Sequence, residues 1–166
     1  PIYFREYIMK KFLPLLLVIV PVFVFLQSLP FKFSGAAETV YIFDTIGAWF
    51  ADIGLDAIAQ PFADFGAYGV GIAELIASIL LIIPATRHWG ALFGLGILSG
   101  AIFFHLFTPL GVAVEFPGAA EGGDPLLFIM AVIAWSCLLA LVIRHRDRLP
   151  LIGNRSAPAP VPAPDA

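Results

Sequence analysis

Residues 125–143, PLLFIMAVIAWSCLLALVI, contain no charged side chain. A bilayer core is crossed by roughly 20 predominantly apolar residues in an α-helix. Such a run has to be helical in lipid, because a single strand would leave its backbone N–H and C=O groups without hydrogen-bond partners. Asp124 precedes the run and Pro125 opens it, which is typical of a helix start. The stretch therefore predicts a transmembrane helix.

Three further runs upstream have the same character. They cover residues 12–31, 67–86 and 89–110, and Glu74 and His105 are the Asp, Glu, Lys, Arg or His side chains inside them. The whole chain is 60% apolar and 13% charged, with a mean hydropathy of +0.96. A soluble domain needs more polar surface to cover its core. We therefore predict an all-α integral membrane protein, with a four-helix up-down-up-down bundle inside residues 1–155.

Basic residues cluster at one end of this predicted bundle, and acidic residues occupy the two loops at the other end. By the positive-inside rule, both termini are cytoplasmic and both acidic loops face outward. Residues 156–166 are rich in Ala and Pro and are predicted to form a disordered cytoplasmic tail. The basic residues assigned to the cytoplasmic end are Arg5, Lys10, Lys11, Arg87, Arg144, Arg146, Arg148 and Arg155.

The first outer loop has an apolar pattern of its own. Phe43, Ile46, Phe50 and Ile53 recur at helical spacing between positions 38 and 56. This periodicity predicts an amphipathic helix that lies on the outer membrane surface or caps the bundle. A loop without regular structure is the alternative.

Small residues at helical spacing in the second and third spans predict close helix contacts. In lipid, helices associate where such residues let two backbones approach. The short turn at residues 85–88 makes the two spans antiparallel neighbours. The predicted packing residues are Gly69, Ala73, Ala77, Gly90, Gly94, Gly96 and Gly100.

Lys32, Glu74 and His105 are the ionisable residues that the predicted spans place at membrane depth. Charges in a bilayer are costly, so each of these residues is a candidate for function. The topology puts all three in the outer half of the membrane, and Glu74 and His105 share helix faces with small residues. We predict a polar cluster inside the bundle that opens toward the outer side.

Two interpretations of this cluster stay open. Lys32, Glu74 and His105 can hold the polar head of a quinone or lipid above an apolar slot. Alternatively, Lys32 and Glu74 neutralise each other, and His105 binds a backbone carbonyl or Thr108. One histidine with one or two carboxylates is an incomplete metal shell, so no metal ligands are assigned.

The composition argues against several other functions. No basic stripe interleaved with aromatic residues supports nucleic-acid binding. Cys137 is the single cysteine, so no disulfide can form within the chain. Ser136 and Cys137 lack a visible base, and no catalytic residue is assigned.

Four segments together resemble the DoxX-like family of small four-helix bacterial membrane proteins. They are FKFSG at 31–35, GIAEL at 71–75, LIIPATR at 81–87 and GAIFFH at 100–105. The resemblance covers about residues 12–143. It implies a location in the bacterial inner membrane and an association with respiratory or redox proteins, because namesake members are subunits of a thiosulfate:quinone oxidoreductase.

Three functions are consistent with this sequence. The first is an accessory subunit of a larger respiratory or photosynthetic electron-transfer complex, with other membrane subunits as partners. The second is a quinone- or lipid-binding redox protein that uses the polar cluster. The third is a small transporter, although no charged residue continues the cluster toward the cytoplasm inside a span. Quinone is the one cofactor suggested, and turnover by the chain alone is not expected because no electron carrier is visible.

Overall fold

The computed structural model describes residues 2–119 and 121–148, and the side chains of these residues from Phe12 onward. The predicted tail at 156–166 lies outside the described residues. The described part is all-α, with one isolated backbone bridge and no strand. Its elements are α1 (Ile2–Ser34), α2 (Ala37–Asp52), α3 (Asp56–Ile82), α4 (Arg87–Phe107), α5 (Leu126–Arg144) and a 3-10 turn at Arg146–Arg148.

Four of these helices, α1, α3, α4 and α5, are long and apolar enough to cross a membrane, which confirms the predicted fold class. α1 packs against α3 and α5, and α4 packs against the same two helices, so the four spans form a closed ring. Phe25, Leu81 and Leu138 are completely buried inside it. Large apolar side chains such as Phe23 and Ile133 are exposed on the outside of the ring, as lipid-facing positions require.

Three helix ends differ from the ends of the predicted spans, because hydropathy marks the apolar run and not the residues at which a helix begins or ends. α1 begins at Ile2 and α3 at Asp56, each about ten residues before the apolar run, because a helix extends beyond the bilayer where water can solvate its polar groups. α4 ends at Phe107, before the predicted end at 110. Thr108 precedes Pro109 and is extended, with ψ at 168°, because proline disfavours helical backbone in the residue before it.

The amphipathic helix predicted in the first loop is present as α2. Phe43 and Ile46 on one face are buried, and Asp44 on the other face is exposed. α2 packs along α3, where Gly47 sits close to the backbone of Ala59. The ring of its Phe50 lies 6.0 Å from the ring of Phe104 on α4. Of the two predicted arrangements, the helix therefore adopts the one in which it caps one end of the bundle.

The loop between α4 and α5 closes the same end. Val114 and Asp124 exchange backbone hydrogen bonds of 3.2 and 3.3 Å, which ties the loop at its base. Gly123 has a φ of 71°, and a side chain there would also meet Ala113, so the position favours glycine on two grounds. Val114 is completely buried and packs in one apolar cluster with Ile46 of α2.

The predicted packing residues fall into two groups. A Cβ on Gly90 would lie 2.7 Å from the backbone N of Leu81, and one on Gly94 would lie 3.0 Å from the side chain of Leu138. Ala73 is half-buried in the cavity wall described below, and Ala77 is completely buried. Gly69, Gly96 and Gly100 have no such neighbour within 4 Å, so they are not at close helix contacts; Gly96 and Gly100 instead leave room in the same cavity wall.

Candidate functional site

Lys32 and Glu74 form an ion pair between α1 and α3. Lys32 Nζ lies 2.8 Å from Oε2 of Glu74 and 3.1 Å from Oε1. Glu74 is 6% exposed and would be costly to bury without a partner. The ammonium of Lys32 supplies that partner, since the last turn of α1 brings it over the middle of α3.

Ser28 completes this group, and sequence analysis did not single it out. It lies one helical turn before Lys32, so both side chains emerge from the same face of α1. Its Oγ accepts a hydrogen bond of 2.8 Å from Lys32 Nζ. Its single hydroxyl hydrogen can go either to Oε2 of Glu74 at 2.9 Å or to the carbonyl of Phe25 at 2.7 Å. The spacing of four residues from Lys32 was the one available sequence signal.

His105 stands in the last turn of α4 and is 7% exposed. Its Nδ1 lies 2.7 Å from the carbonyl oxygen of Gly111. A carbonyl only accepts, so Nδ1 carries the hydrogen, and a neutral His105 offers Nε2 as an acceptor. The ring packs edge-on to Phe128 of α5. His105 makes no hydrogen bond with Lys32 or Glu74 among the described contacts.

A cavity of about 490 Å³ joins His105 to the ion pair, and side chains from all five helices line it. This volume lies within the range of small-molecule sites, which are mainly apolar with a few polar groups. Most of the wall here is apolar and aromatic, and includes Phe31, Phe62 and Phe104. The polar residues on the wall are Gln27, Ser28, Lys32, Glu38, Thr39, Glu74, His105 and Asp124.

Two acidic residues lie where the cavity reaches the capped end. Glu38 comes from the first turn of α2 and Asp124 from the loop before α5. Burial raises the pKa of the Glu38 carboxyl above its ordinary value of 4.5, and the negative charge of Asp124 raises it further. Sequence analysis assigned both residues to outer loops and did not foresee that the loops would converge on one cavity.

The chemistry that this site offers is binding and proton exchange. Donors, acceptors and three carboxyl groups lie around an apolar space, which suits a ligand with a polar head and an apolar body. Among the described residues, no group of three or more His, Cys, Asp or Glu side chains is arranged to hold a metal ion.

Fold and site together define a multi-pass membrane protein, a four-helix bundle with a polar-edged cavity between its helices. The DoxX family model matches residues 13–107, which is more than half of the chain and includes the cavity-lining parts of α1, α2, α3 and α4. The chain therefore belongs to the DoxX family. No curated protein and no solved structure matches it.

Proposed function

We propose that this DoxX-family protein is an accessory subunit of a larger membrane electron-transfer complex, in which its cavity holds the headgroup of a quinone. The observation that carries the proposal is the cavity itself. It sets Lys32, Glu74 and His105 around one apolar space that is large enough for a substituted ring. A bound quinone would supply the group that accepts electrons.

The polar residues suit both forms of such a ligand. Lys32 can donate a hydrogen bond to a carbonyl oxygen of the oxidised ring. Nε2 of His105 can accept one from a hydroxyl of the reduced ring. Glu74 can give or take the accompanying proton. Ser28 Oγ accepts a hydrogen bond of 2.8 Å from Lys32 and lies 2.9 Å from Oε2 of Glu74, which keeps the two charged groups in position. Phe31 and Phe104 line the space that the ring would occupy.

The electrons have to come from another subunit, because the sequence has one cysteine and shows no flavin or nucleotide fingerprint. The exposed apolar side chains of α1 and α5 form a surface against which helices of a partner subunit can pack. We therefore assign the chain as one subunit of a quinone-linked oxidoreductase. We also propose a bacterial inner-membrane location with cytoplasmic termini. The distribution of charge supports this orientation: Arg87 and Arg148 lie at one end, and Glu38 and Asp124 at the other.

A transport path is less well supported by the packing. Toward the basic end, the bundle is filled by Leu81, Leu138 and Leu141, each with at most 1% of its surface exposed. Among the side chains that the structure describes, no Asp, Glu, Lys, Arg or His continues the polar cluster through this apolar layer. Because the cavity ends at packed leucines, it is better suited to hold a ligand than to conduct a substrate across the membrane.

The test is isothermal titration of the purified full chain in detergent with decyl-ubiquinone. We expect saturable binding that is weakened in Glu74→Gln and His105→Ala. Loss of one buried hydrogen-bond partner costs about 1–3 kcal/mol, which corresponds to a roughly five- to 150-fold weaker affinity.

Asp64→Asn is the matched control, since Asp64 is an exposed carboxylate on the same helix as Glu74 and accepts a hydrogen bond from Gln60 of that helix. Decylbenzene has the same alkyl tail but lacks the quinone oxygens, so it measures how much of the affinity comes from the tail alone. Equal affinity for decylbenzene and decyl-ubiquinone would contradict the proposal, as would binding that neither cavity variant alters.

A further inference from the structure

We infer a second binding site at the opposite, basic end of the bundle, where Arg87, Arg144 and Arg148 take the phosphate group of an anionic phospholipid. The site lies at the start of α4 and the end of α5, which pack against each other. It is independent of the cavity and of any quinone.

Arginine and histidine side chains converge at this place from two helices. Arg87 and His88 open α4, while Arg144, His145 and Arg148 surround the end of α5. The pKa of His145 is lowered because burial removes water from its ring, and because Arg148, Arg144, Arg87 and His88 all lie near enough to repel a further positive charge. A bound anion would relieve this repulsion.

The described residues provide little compensation for that charge. Asp147 is the acidic residue nearest in the chain, and within the described residues it pairs with Arg146, at 3.9 Å, with both side chains largely exposed. Arg87 donates to the carbonyls of Leu81 and Ile82, at 3.0 and 3.4 Å, which fixes its guanidinium, and no carboxylate of the described part of the chain pairs with its charge. A guanidinium held in this way still has N–H groups for an oxyanion.

A second observation points to a missing partner. Nδ1 of His88 is buried, and no described group hydrogen-bonds to it. Buried polar atoms are almost always paired, so an unpaired one marks a place where an unseen ligand or water belongs. In the tautomer that carries its hydrogen on Nδ1, His88 would donate to a phosphate oxygen, and Arg87 is the adjacent residue. A general excess of basic residues at the cytoplasmic end explains neither this atom nor the convergence on His145.

The surroundings indicate that the phosphate belongs to a lipid. Trp89 follows His88 in α4 and is 45% exposed, and tryptophan is enriched at the headgroup level of membranes. Ile83 and Ile143 beside the basic residues are also exposed, which offers acyl chains an apolar path along α3 and α5. Basic pockets between transmembrane helices are known to take anionic headgroups.

The experiment measures thermal unfolding of the delipidated full chain in neutral detergent, titrated with dioleoyl-phosphatidylglycerol or dioleoyl-phosphatidylcholine. We expect a saturable rise in Tm with phosphatidylglycerol alone. Near a membrane surface each Arg contributes about 1 kcal/mol to anionic-lipid binding, so Arg144→Gln/Arg148→Gln should bind about thirtyfold more weakly. Arg144→Lys/Arg148→Lys keeps the charge and should retain most of the effect.

Arg146→Gln is the control, because Arg146 lies in the same segment but is not among the charges that act on His145. Equal responses to the two lipids would overturn the inference, as would equal phosphatidylglycerol affinities for Arg146→Gln and the double Gln variant. Inorganic phosphate at millimolar concentration tests the source of the anion. If it reproduces the full rise in Tm and removes the response to phosphatidylglycerol, the lipid assignment is wrong.

Discussion

At the scale of single residues, the bundle tolerates a buried carboxylate because Lys32 and Ser28 surround it with polar atoms. Lys32 Nζ lies 2.8 Å from Oε2 of Glu74 and 3.1 Å from Oε1, and Ser28 Oγ lies 2.9 Å from Oε2, so both carboxylate oxygens have a protein partner. An ammonium and a carboxylate in low dielectric stabilise each other only with such geometry. The group therefore has two possible roles, to connect α1 with α3 and to present charges to the cavity.

Glu74→Ala is expected to destabilise the chain by about 3–5 kcal/mol, because it leaves the largely desolvated ammonium of Lys32 without its counter-ion. Thermal or denaturant unfolding in detergent measures this loss. Lys32→Met/Glu74→Leu removes both charges and should recover much of the stability. Asp64→Ala, an exposed carboxylate on the same helix, is the control, and an equal effect of Glu74→Ala and Asp64→Ala would contradict the structural role of the pair.

Glu38, unlike Glu74, is expected to lower the stability of the folded chain when its carboxyl group is ionised. Because its pKa is raised in the folded chain, folding takes up a proton between the unfolded and folded pKa values, and stability falls as pH rises through that window. Glu38→Gln should therefore raise Tm at neutral pH, and the advantage should disappear below the ordinary pKa of 4.5. Asp44→Asn on the exposed face of α2 is the control. A gain in Tm that is the same at all pH values would rule out this origin.

Sequence alone predicted part of this site and missed the rest for a physical reason. Lys32, Glu74 and His105 are conspicuous, since an ionisable side chain within a long apolar run is rare and costly. Ser28 and Gly111 do not stand out in the sequence, because serine is common in helices and every residue has a backbone carbonyl. Which of them receives a hydrogen bond depends on how the helices pack.

At the scale of helices, hydropathy identified the four spans, and apolar periodicity identified α2. The helix ends followed other rules, such as the extended backbone of Thr108 before Pro109. Spacing of small residues could not separate a close helix contact from a cavity wall. Gly90 belongs to the first kind and Gly100 to the second, although both lie on α4.

This difference between glycines can be tested by adding a methyl group. Gly90→Ala would place its Cβ 2.7 Å from the backbone of Leu81, so α3 and α4 have to separate. We expect a loss of about 1–3 kcal/mol, the usual cost of overpacking. Gly69→Ala meets nothing within 4 Å and should be neutral or slightly stabilising. Similar unfolding free energies for the two variants would show that the α3–α4 contact is not tight at Gly90.

At the scale of the whole molecule, α2 and the loop before α5 close one end of the bundle over the cavity, and arginines surround the other end. The proposed orientation puts the closed end outside the cytoplasm. In a Cys137→Ser background, single cysteines at Gly118 and Arg146 should react with a membrane-impermeant maleimide from opposite sides, with Gly118 accessible from outside. Labelling of both positions from one side would contradict the four-span arrangement.

The most direct measurement of the central claim is photo-crosslinking of the full chain with an azido-quinone, followed by mass spectrometry of the labelled peptides. If the cavity holds a quinone headgroup, label should appear in residues 27–32 and 97–105, and excess decyl-ubiquinone should remove it. Label found only on lipid-facing positions such as Phe23 or Ile133, and unchanged by the competitor, would contradict a quinone site in this cavity.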